Sequence, residues 1–194
     1  MKIKEELKNP RKVLVIVAHP DDETIWMGGV MIESGWDLTI ISLCRRDDRD
    51  RAPRFKKACE IYNANCFISD LEDEYLNEIK KEDVIRRILK FVDDKYDFIF
   101  THGSNGEYGH LRHREIHKAV REMVRKKILK CRRLFFFDYV KRGQICLARE
   151  NSDNFINLKR VSLVKKREII KNVYGFNPKS FEFRCCKRKE AFKI

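Results

Sequence analysis

The residues that could do chemistry fall in two clusters of this 194-residue chain. His19-Pro20-Asp21-Asp22-Glu23 forms the first. The other four histidines, His102, His110, His113 and His117, form the second. On a helix, His110 and His113 stand at i,i+3, and His113 and His117 at i,i+4, so either pair can face one ion. Asp21 and Asp22 are adjacent and cannot point the same way, so one can ligate while the other serves as a base. Two histidines and one carboxylate with an open water position make a common catalytic zinc shell. Each cluster alone is a weak signal, because His-x-x-His is often a satisfied pair and Asp-Asp-Glu often only starts a helix. Both follow apolar strands, and in an open α/β sheet the strand ends are where ligands bind. Together they make a metal site the better reading.

The elements that must position these clusters are legible as apolar runs. Residues 13–18 (Val-Leu-Val-Ile-Val-Ala) are continuous and rich in β-branched side chains, the pattern of a strand buried on both faces of a parallel sheet. A helical stretch over about 22–34 follows and stops near Gly35. A second buried strand is expected over 38–43, and a dense charged loop over 45–53. Residues 54–63 read as a helix, 66–69 as a short strand, and 98–101 as another buried strand. In 82–94, Val84, Ile85, Ile88, Leu89 and Val92 repeat at helical spacing. A polar loop over 102–109 leads to a helix over 112–130 and a strand over 134–140. This alternation predicts an α/β, Rossmann-like three-layer fold with a mostly parallel central sheet. Beyond about 141 the pattern is less regular. A hairpin through Arg142-Gly143 into 145–148, a helix over 162–174 and a strand over 181–184 are expected. No repeat or linker interrupts the chain, so 1–194 reads as a single domain.

Composition excludes several classes. Hydrophobic residues at 43% and charged residues at 38%, with only eight glycines and four prolines, rule out collagenous or low-complexity chains. No apolar run approaches the ~20 residues of a membrane helix. The run over 13–18 is too short for a signal-peptide core, so a cytoplasmic protein with no membrane span is expected. Seven cysteines, an odd number at scattered spacing with no Cys-x-x-Cys, predict reduced thiols and neither a disulfide framework nor a thiolate ribbon. The net charge of +13 is uneven: residues 1–117 hold 20 basic and 23 acidic side chains, and residues 118–194 hold 23 and 7. The basic half carries an alternative reading, a phosphate- or nucleic-acid-binding protein. Its aromatic residues are not interleaved with the basic ones as base stacking requires, so no nucleic-acid partner is expected.

Ala18-His-Pro-Asp-Asp-Glu23, followed by an apolar helix with Gly28-Gly29, resembles the signature of the zinc-dependent N-acetylglucosaminyl deacetylases of the LmbE/PIG-L type. Thr101-His-Gly-Ser-Asn-Gly-Glu-Tyr-Gly-His-Leu-Arg-His113 is similar to that family's second motif. The resemblance covers roughly residues 11–140. It implies a metal-dependent hydrolase that removes the acetyl group from an N-acetylated amino sugar, a small-molecule substrate. The implied cofactor is Zn²⁺, with other divalent transition metals fitting the same ligands. It implies His19, Asp22 and His113 as metal ligands and Asp21 as general base. His110, taken as protonated, and Tyr108 would assist at the acetyl carbonyl. His117 would support the ligands from behind, and His102 is given no role. Arg54 falls where the family has an arginine that reaches substrate. Trp26 and Trp36 could stack on a sugar. Many relatives carry Pro-Asp between the two motif histidines, where this chain has Leu111-Arg112. The resemblance leaves open the exact sugar and the oligomeric state.

Overall fold

The computed structural model describes residues 3–92, 95–152 and 154–194. After a short helix α1 (Ile3–Glu6), strands and helices alternate: β1 (Lys12–Val17), α2 (Asp22–Glu33), β2 (Asp37–Cys44), α3 (Arg51–Ile61), β3 (Asn65–Leu71), α4 (Lys81–Leu89) and β4 (Lys95–Thr101). A single turn α5 (Gly106–Gly109) then leads into α6 (Leu111–Arg125) and β5 (Lys130–Phe137). The remainder comprises β6 (Tyr139–Arg142), β7 (Ile145–Ala148), β8 (Asn154–Asn157), α7 (Arg160–Glu168), a π-helical turn Ile169–Val173, α8 (Phe181–Cys185) and β9 (Lys189–Lys193).

The main sheet has seven strands in the order β3-β2-β1-β4-β5-β9-β8. The first five are parallel; β9 runs antiparallel to β5, and β8 antiparallel to β9. This is the mixed α/β, mostly parallel architecture that the strand–helix alternation predicts. The apolar run of β1 is continuous because both of its faces are covered. Val13, Val15 and Val17 join one core with α2, α3 and the C-terminal helices, while Leu14, Ile16 and Ala18 join the other with α4 and α6. Chain order reverses between β1 and β4, which lie side by side with Ile16 opposite Thr101. Such a switch point leaves a crevice beyond the strand ends. The two chemistry-bearing segments emerge there.

The C-terminal part departs from expectation in detail. The hairpin forms as β6 and β7, with Gly143 at φ 57° in its turn. The helix over 162–174 begins at Arg160 and widens into the π turn. The strand expected over 181–184 is helix α8 instead. Ser180 Oγ caps it by accepting the Phe183 N–H at 3.2 Å, a local bond that outweighs the strand-like alternation of Phe-Glu-Phe-Arg. Cys185 and Cys186 accordingly sit at a buried helix end and not on opposite faces of a strand. The helix expected over 82–94 ends at Leu89, and residues 93–94 of that stretch lie outside the described residues. Among the described residues, no helix is long and apolar enough to cross a membrane.

Candidate functional site

The first cluster is built where β1 stops. Ala18 is locked to its neighbours: its N–H donates to His102 Nε2 at 2.9 Å, and its carbonyl accepts from Cys44 N–H at 2.9 Å. The chain then turns sharply, with Asp21 at φ 117°, in the left-handed half of the map that disfavours side chains. That turn separates the neighbouring carboxylates. Asp22 enters the first turn of α2, where a carboxylate suits the helix dipole. Its Oδ1 accepts from the Trp26 indole N–H at 2.9 Å, and its Oδ2 accepts from His19 N–H at 2.9 Å. Trp26 is fully buried and Trp36 nearly so, and neither is available to stack on a sugar.

Three donor atoms converge. His19 Nδ1 lies 3.2 Å from Asp22 Oδ2, and His113 Nε2 lies 3.3 Å from each of them. With bonds of about 2.0–2.1 Å, a tetrahedral metal shell has edges of about 3.3–3.4 Å. The donor triangle therefore fits one face of such a shell. The far nitrogen of each histidine faces a carboxylate. His19 Nε2 is 3.0 Å from Asp73 Oδ1, and Arg45 holds Asp73 Oδ2 at 2.8 Å. His113 Nδ1 is 2.5 Å from Glu107 Oε2. With a proton on each carboxylate-facing nitrogen, the inward nitrogens present lone pairs. This carboxylate–histidine arrangement is the usual support of a metal ligand.

Three other donor groups are close enough to compete, and bonding argues against two of them. Asp22, His102 and His113 cluster, but His102 Nε2 is already the acceptor for Ala18 N–H. Its proton therefore sits on Nδ1, donated to Glu107 at 2.9 Å. His19, Cys44 and Asp73 cluster as well, but Asp73 already faces His19 Nε2 at 3.0 Å and accepts from Arg45 at 2.8 Å. A third set replaces Asp22 with His110, alongside His19 and His113.

Glu107 is the centre of the second loop. It is buried and sits at φ 55°, a strained setting that turns its carboxylate inward. Oε1 accepts Gly103 N–H at 2.7 Å while Oε2 faces both His102 and His113. Burial opposes its charge, but the two imidazoles and their hydrogen bonds win and hold its pKa at about 2. For His113, burial likewise pulls down, but Asp22 and Glu107 outweigh it and push the pKa up to about 10. The pair of carboxylates thus calls for a positive charge between them.

Around this cluster lies a polar cavity of about 340 Å³, bordered by Asp21, Tyr108, His110, Arg51, Phe181 and Glu182 among others. Asp21 Oδ2 is held by Arg51 Nη1 at 2.6 Å. Burial, with Asp22 beside it, raises the Asp21 pKa well above the usual carboxylate range against the pull of Arg51. Tyr108 stands over His113 at 5.3 Å between ring centres, and burial raises its phenol so that it remains a donor. His110 packs 4.7 Å from His19 and 4.8 Å from His113, and its buried Nδ1 has no partner among the described residues. Burial, then His113 and His19, pull its pKa down to about 4, which favours the neutral imidazole. Asp22 and Asp73 act the other way and lose.

Arg54 is not brought to the cavity. It is tied to Asp50 at 2.7 Å and to the Val173 carbonyl at 3.0 Å, while Arg51, one turn earlier, reaches Asp21. The charged loop is tied mainly to carboxylates outside it, through Arg45–Asp73, Arg46–Asp70 and Arg51–Asp21. His117 lies behind the cluster, with Nδ1 2.9 Å from the His102 carbonyl. Arg112 is fully buried and pairs with Glu72 and Glu115, which fastens the Asp73 loop to the start of α6. Glu107, Asp73, Arg51 and the Trp26 indole are the supports that sequence reasoning missed. Glu107 had a signal, because it lies inside the Gly-Glu-Tyr-Gly-His run of the second motif.

Fold and site define a doubly wound α/β protein with a His/Asp cluster suited to a metal ion at its switch point. The family model PIG-L, GlcNAc-PI de-N-acetylase, matches residues 14–124, and the chain belongs to that family. An uncharacterized protein, L374, of Acanthamoeba polyphaga mimivirus is 29% identical over 130 residues. That match spans 55% of this chain and 55% of the relative, about half the length of each. The crystal structure of the conserved protein TT1542 from Thermus thermophilus superimposes with a TM-score of 0.68 at 15% identity. It covers 95% of this chain and 94% of that one, and it carries the fold.

Proposed function

We propose that this protein is a metal-dependent N-deacetylase that hydrolyses the acetamido group of an N-acetylated amino sugar to acetate and a free amine. The observation that carries the reading is the His19–Asp22–His113 triangle, with edges of 3.2–3.3 Å and the Asp21 carboxylate beside it in one cavity. His19, Asp22 and His113 would hold a divalent ion, zinc by ligand chemistry, which when bound supplies Lewis acidity toward water and the amide carbonyl.

The chain's own groups do the rest. Asp21 Oδ accepts the proton of the attacking water and returns it to the amine nitrogen as the C–N bond breaks. Arg51 orients that carboxylate. The Tyr108 hydroxyl donates to the carbonyl oxygen as negative charge develops there, an interaction of a kind worth about 2.7–4 kcal/mol. His110 is neutral and acts through an N–H and a lone pair. Family membership and the donor triangle give no support to the nucleic-acid reading.

Acetate release from a panel of N-acetyl sugars tests this, with chelated protein, with zinc restored, and with the His19→Ala protein. The expected result is release that needs metal and is absent in the variant. Activity unaffected by chelation would overturn it, as would full metal occupancy in His19→Ala.

A further inference from the structure

Residues 118–194 hold 23 basic side chains against 7 acidic ones, and the proposed deacetylase site uses none of that positive charge. Part of it borders a second cavity, of about 650 Å³, beyond the carboxyl ends of β4 and β5. His117 and Arg121 of α6 line it, with Phe136 of β5, Asp138 just after that strand, Arg149 just after β7, and Lys193 of β9. The sheet register sets Lys193 opposite Phe136. In an open α/β sheet the carboxyl ends of the strands are where ligands bind. The metal-competent cluster occupies the neighbouring crevice between β1 and β4. His102 separates the two: its ring faces Glu107 at 2.9 Å, and its carbonyl faces His117 at 2.9 Å.

The second cavity has a buried polar group without a partner. His117 is only 7% exposed. Its Nδ1 meets the His102 carbonyl, which can only accept, so Nδ1 carries a proton. No described residue bonds to Nε2, and that nitrogen is not sealed from solvent, so it opens on the cavity that His117 lines. Burial lowers the His117 pKa, and Arg121 and Lys118 add to it, against the His102 carbonyl and Glu107. The ring is therefore neutral, and Nε2 offers a lone pair. Arg121 and Lys193 have no carboxylate partner among the described residues. Asp138 is already engaged, by Arg149 Nε at 3.1 Å and Ser152 Oγ at 2.6 Å, which leaves the two terminal nitrogens of Arg149 to a ligand. The Phe136 ring, 4.5 Å from that of His117, makes one apolar wall.

We propose that this cavity is a second ligand site, one that takes the protonated phosphoryl group of a small molecule. The P–O–H donates to His117 Nε2, while the charged oxygens pair with Arg121, Arg149 and Lys193. Guanidinium forks match phosphate oxygens, and the lysine adds a point charge. The cavity is larger than a phosphoryl group, so an organic body has room against Phe136. Sulfate is the discriminating probe, because it resembles phosphate in size and charge but has no proton to give at neutral pH. It would set its own lone pair against that of Nε2. A merely basic surface has no means of telling the two anions apart.

Isothermal titration calorimetry of the full chain with metal chelated, at neutral pH, uses inorganic phosphate, phenyl phosphate and sulfate. Both phosphates should bind, and sulfate about tenfold more weakly or less. Tighter binding of the ester assigns the site to an organic phosphate, and tighter binding of the inorganic ion to phosphate itself; either supports the site. Arg121→Gln, an exposed position, should weaken both about tenfold through loss of a charge-assisted hydrogen bond. Arg51→Gln, in the metal cavity, should leave both affinities unchanged. On the unaltered protein, the His117 Nε2 resonance should move with phosphate and not with sulfate. Equal binding of phosphate and sulfate would overturn the proposal, as would an unmoved His117 resonance or no binding at millimolar phosphate. Binding lost in Arg51→Gln and kept in Arg121→Gln would also overturn it, by placing the anion in the metal cavity.

Discussion

At the scale of single residues, the site depends on side chains that hold other side chains. Glu107 fixes both His113 and His102, so Glu107→Gln replaces a charged acceptor with a neutral amide at the ligand's back. Metal affinity should fall about 10–100-fold, the usual cost of losing such a support, as read by competition with a chromogenic chelator. Unchanged affinity would mean that the bond to His113 Nδ1 does not tune the ligand. On the proposed mechanism, Asp21→Asn removes a base and no ligand. Metal content should stay at the level of the unaltered protein while kcat drops by about 10²–10⁴. An emptied site would exchange the roles of Asp21 and Asp22. His110, with a pKa of about 4, is already deprotonated at neutral pH, and a bound cation would lower it further. Its titration is complete below the neutral range, so His110→Ala should reduce kcat without changing the shape of the rate profile above pH 6. A lost alkaline limb in that variant would show that His110 is charged in the working enzyme. The residues with sequence signatures, His19 through Asp22 and His110 through His113, could be picked out in advance because they fall in compact motifs after strands, and the fold brings them together. Asp73 and Arg51 were not, because nothing local distinguishes a carboxylate that backs a histidine 54 positions away from one facing solvent. Nor does the sequence show that Arg51 and not Arg54 reaches the cavity, because one helical turn decides which guanidinium points there.

At the scale of elements, α2 is two helical segments in one. Met27 leaves helical geometry at φ −145°, which frees the N–H groups of Gly29 and Val30. Glu190 in β9 accepts both, at 2.9 and 2.8 Å, and Lys166 in α7 holds Glu190 at 2.6 Å. Both charged groups are almost fully buried. Lys166→Met removes one partner and strands the other, a change that typically costs about 3–5 kcal/mol. Val161→Ser, on an exposed position of the same helix, should stay within about 0.5 kcal/mol. Denaturant midpoints of the two variants make the comparison, and equal midpoints would remove the pair from the stability of the fold. The parallel strands β1, β2 and β4 were readable because two-sided burial leaves an apolar run. The short strands β8 and β9 were not, since Asn-Phe-Ile-Asn and Lys-Glu-Ala-Phe-Lys gain their order from each other. Helix α8 was misread because a Ser180 cap and an alternating Phe-Glu-Phe-Arg make opposite local arguments, and the cap prevailed.

At the scale of the whole molecule, a bound ion would stabilise the fold by mass action. At a metal concentration about 100 times Kd the gain is about 2.7 kcal/mol. A chain of this size shifts its Tm by about 2–4 °C per kcal/mol, so chelation should lower Tm by roughly 5–10 °C. A Tm indifferent to chelator would indicate that the cluster binds no ion in the folded state. The link between Glu190 and the middle of α2 has a further consequence, in the order of events during synthesis. Gly29 and Glu190 lie 161 positions apart, so the helix that presents Asp22 and Trp26 leaves the ribosome long before its buried brace exists. Strands β1 and β2 can pair early, but α2 gains its lasting geometry only once nearly the whole chain is available. Nascent chains halted before residue 190 should therefore carry every side chain proposed to hold the metal and still fail to retain an ion.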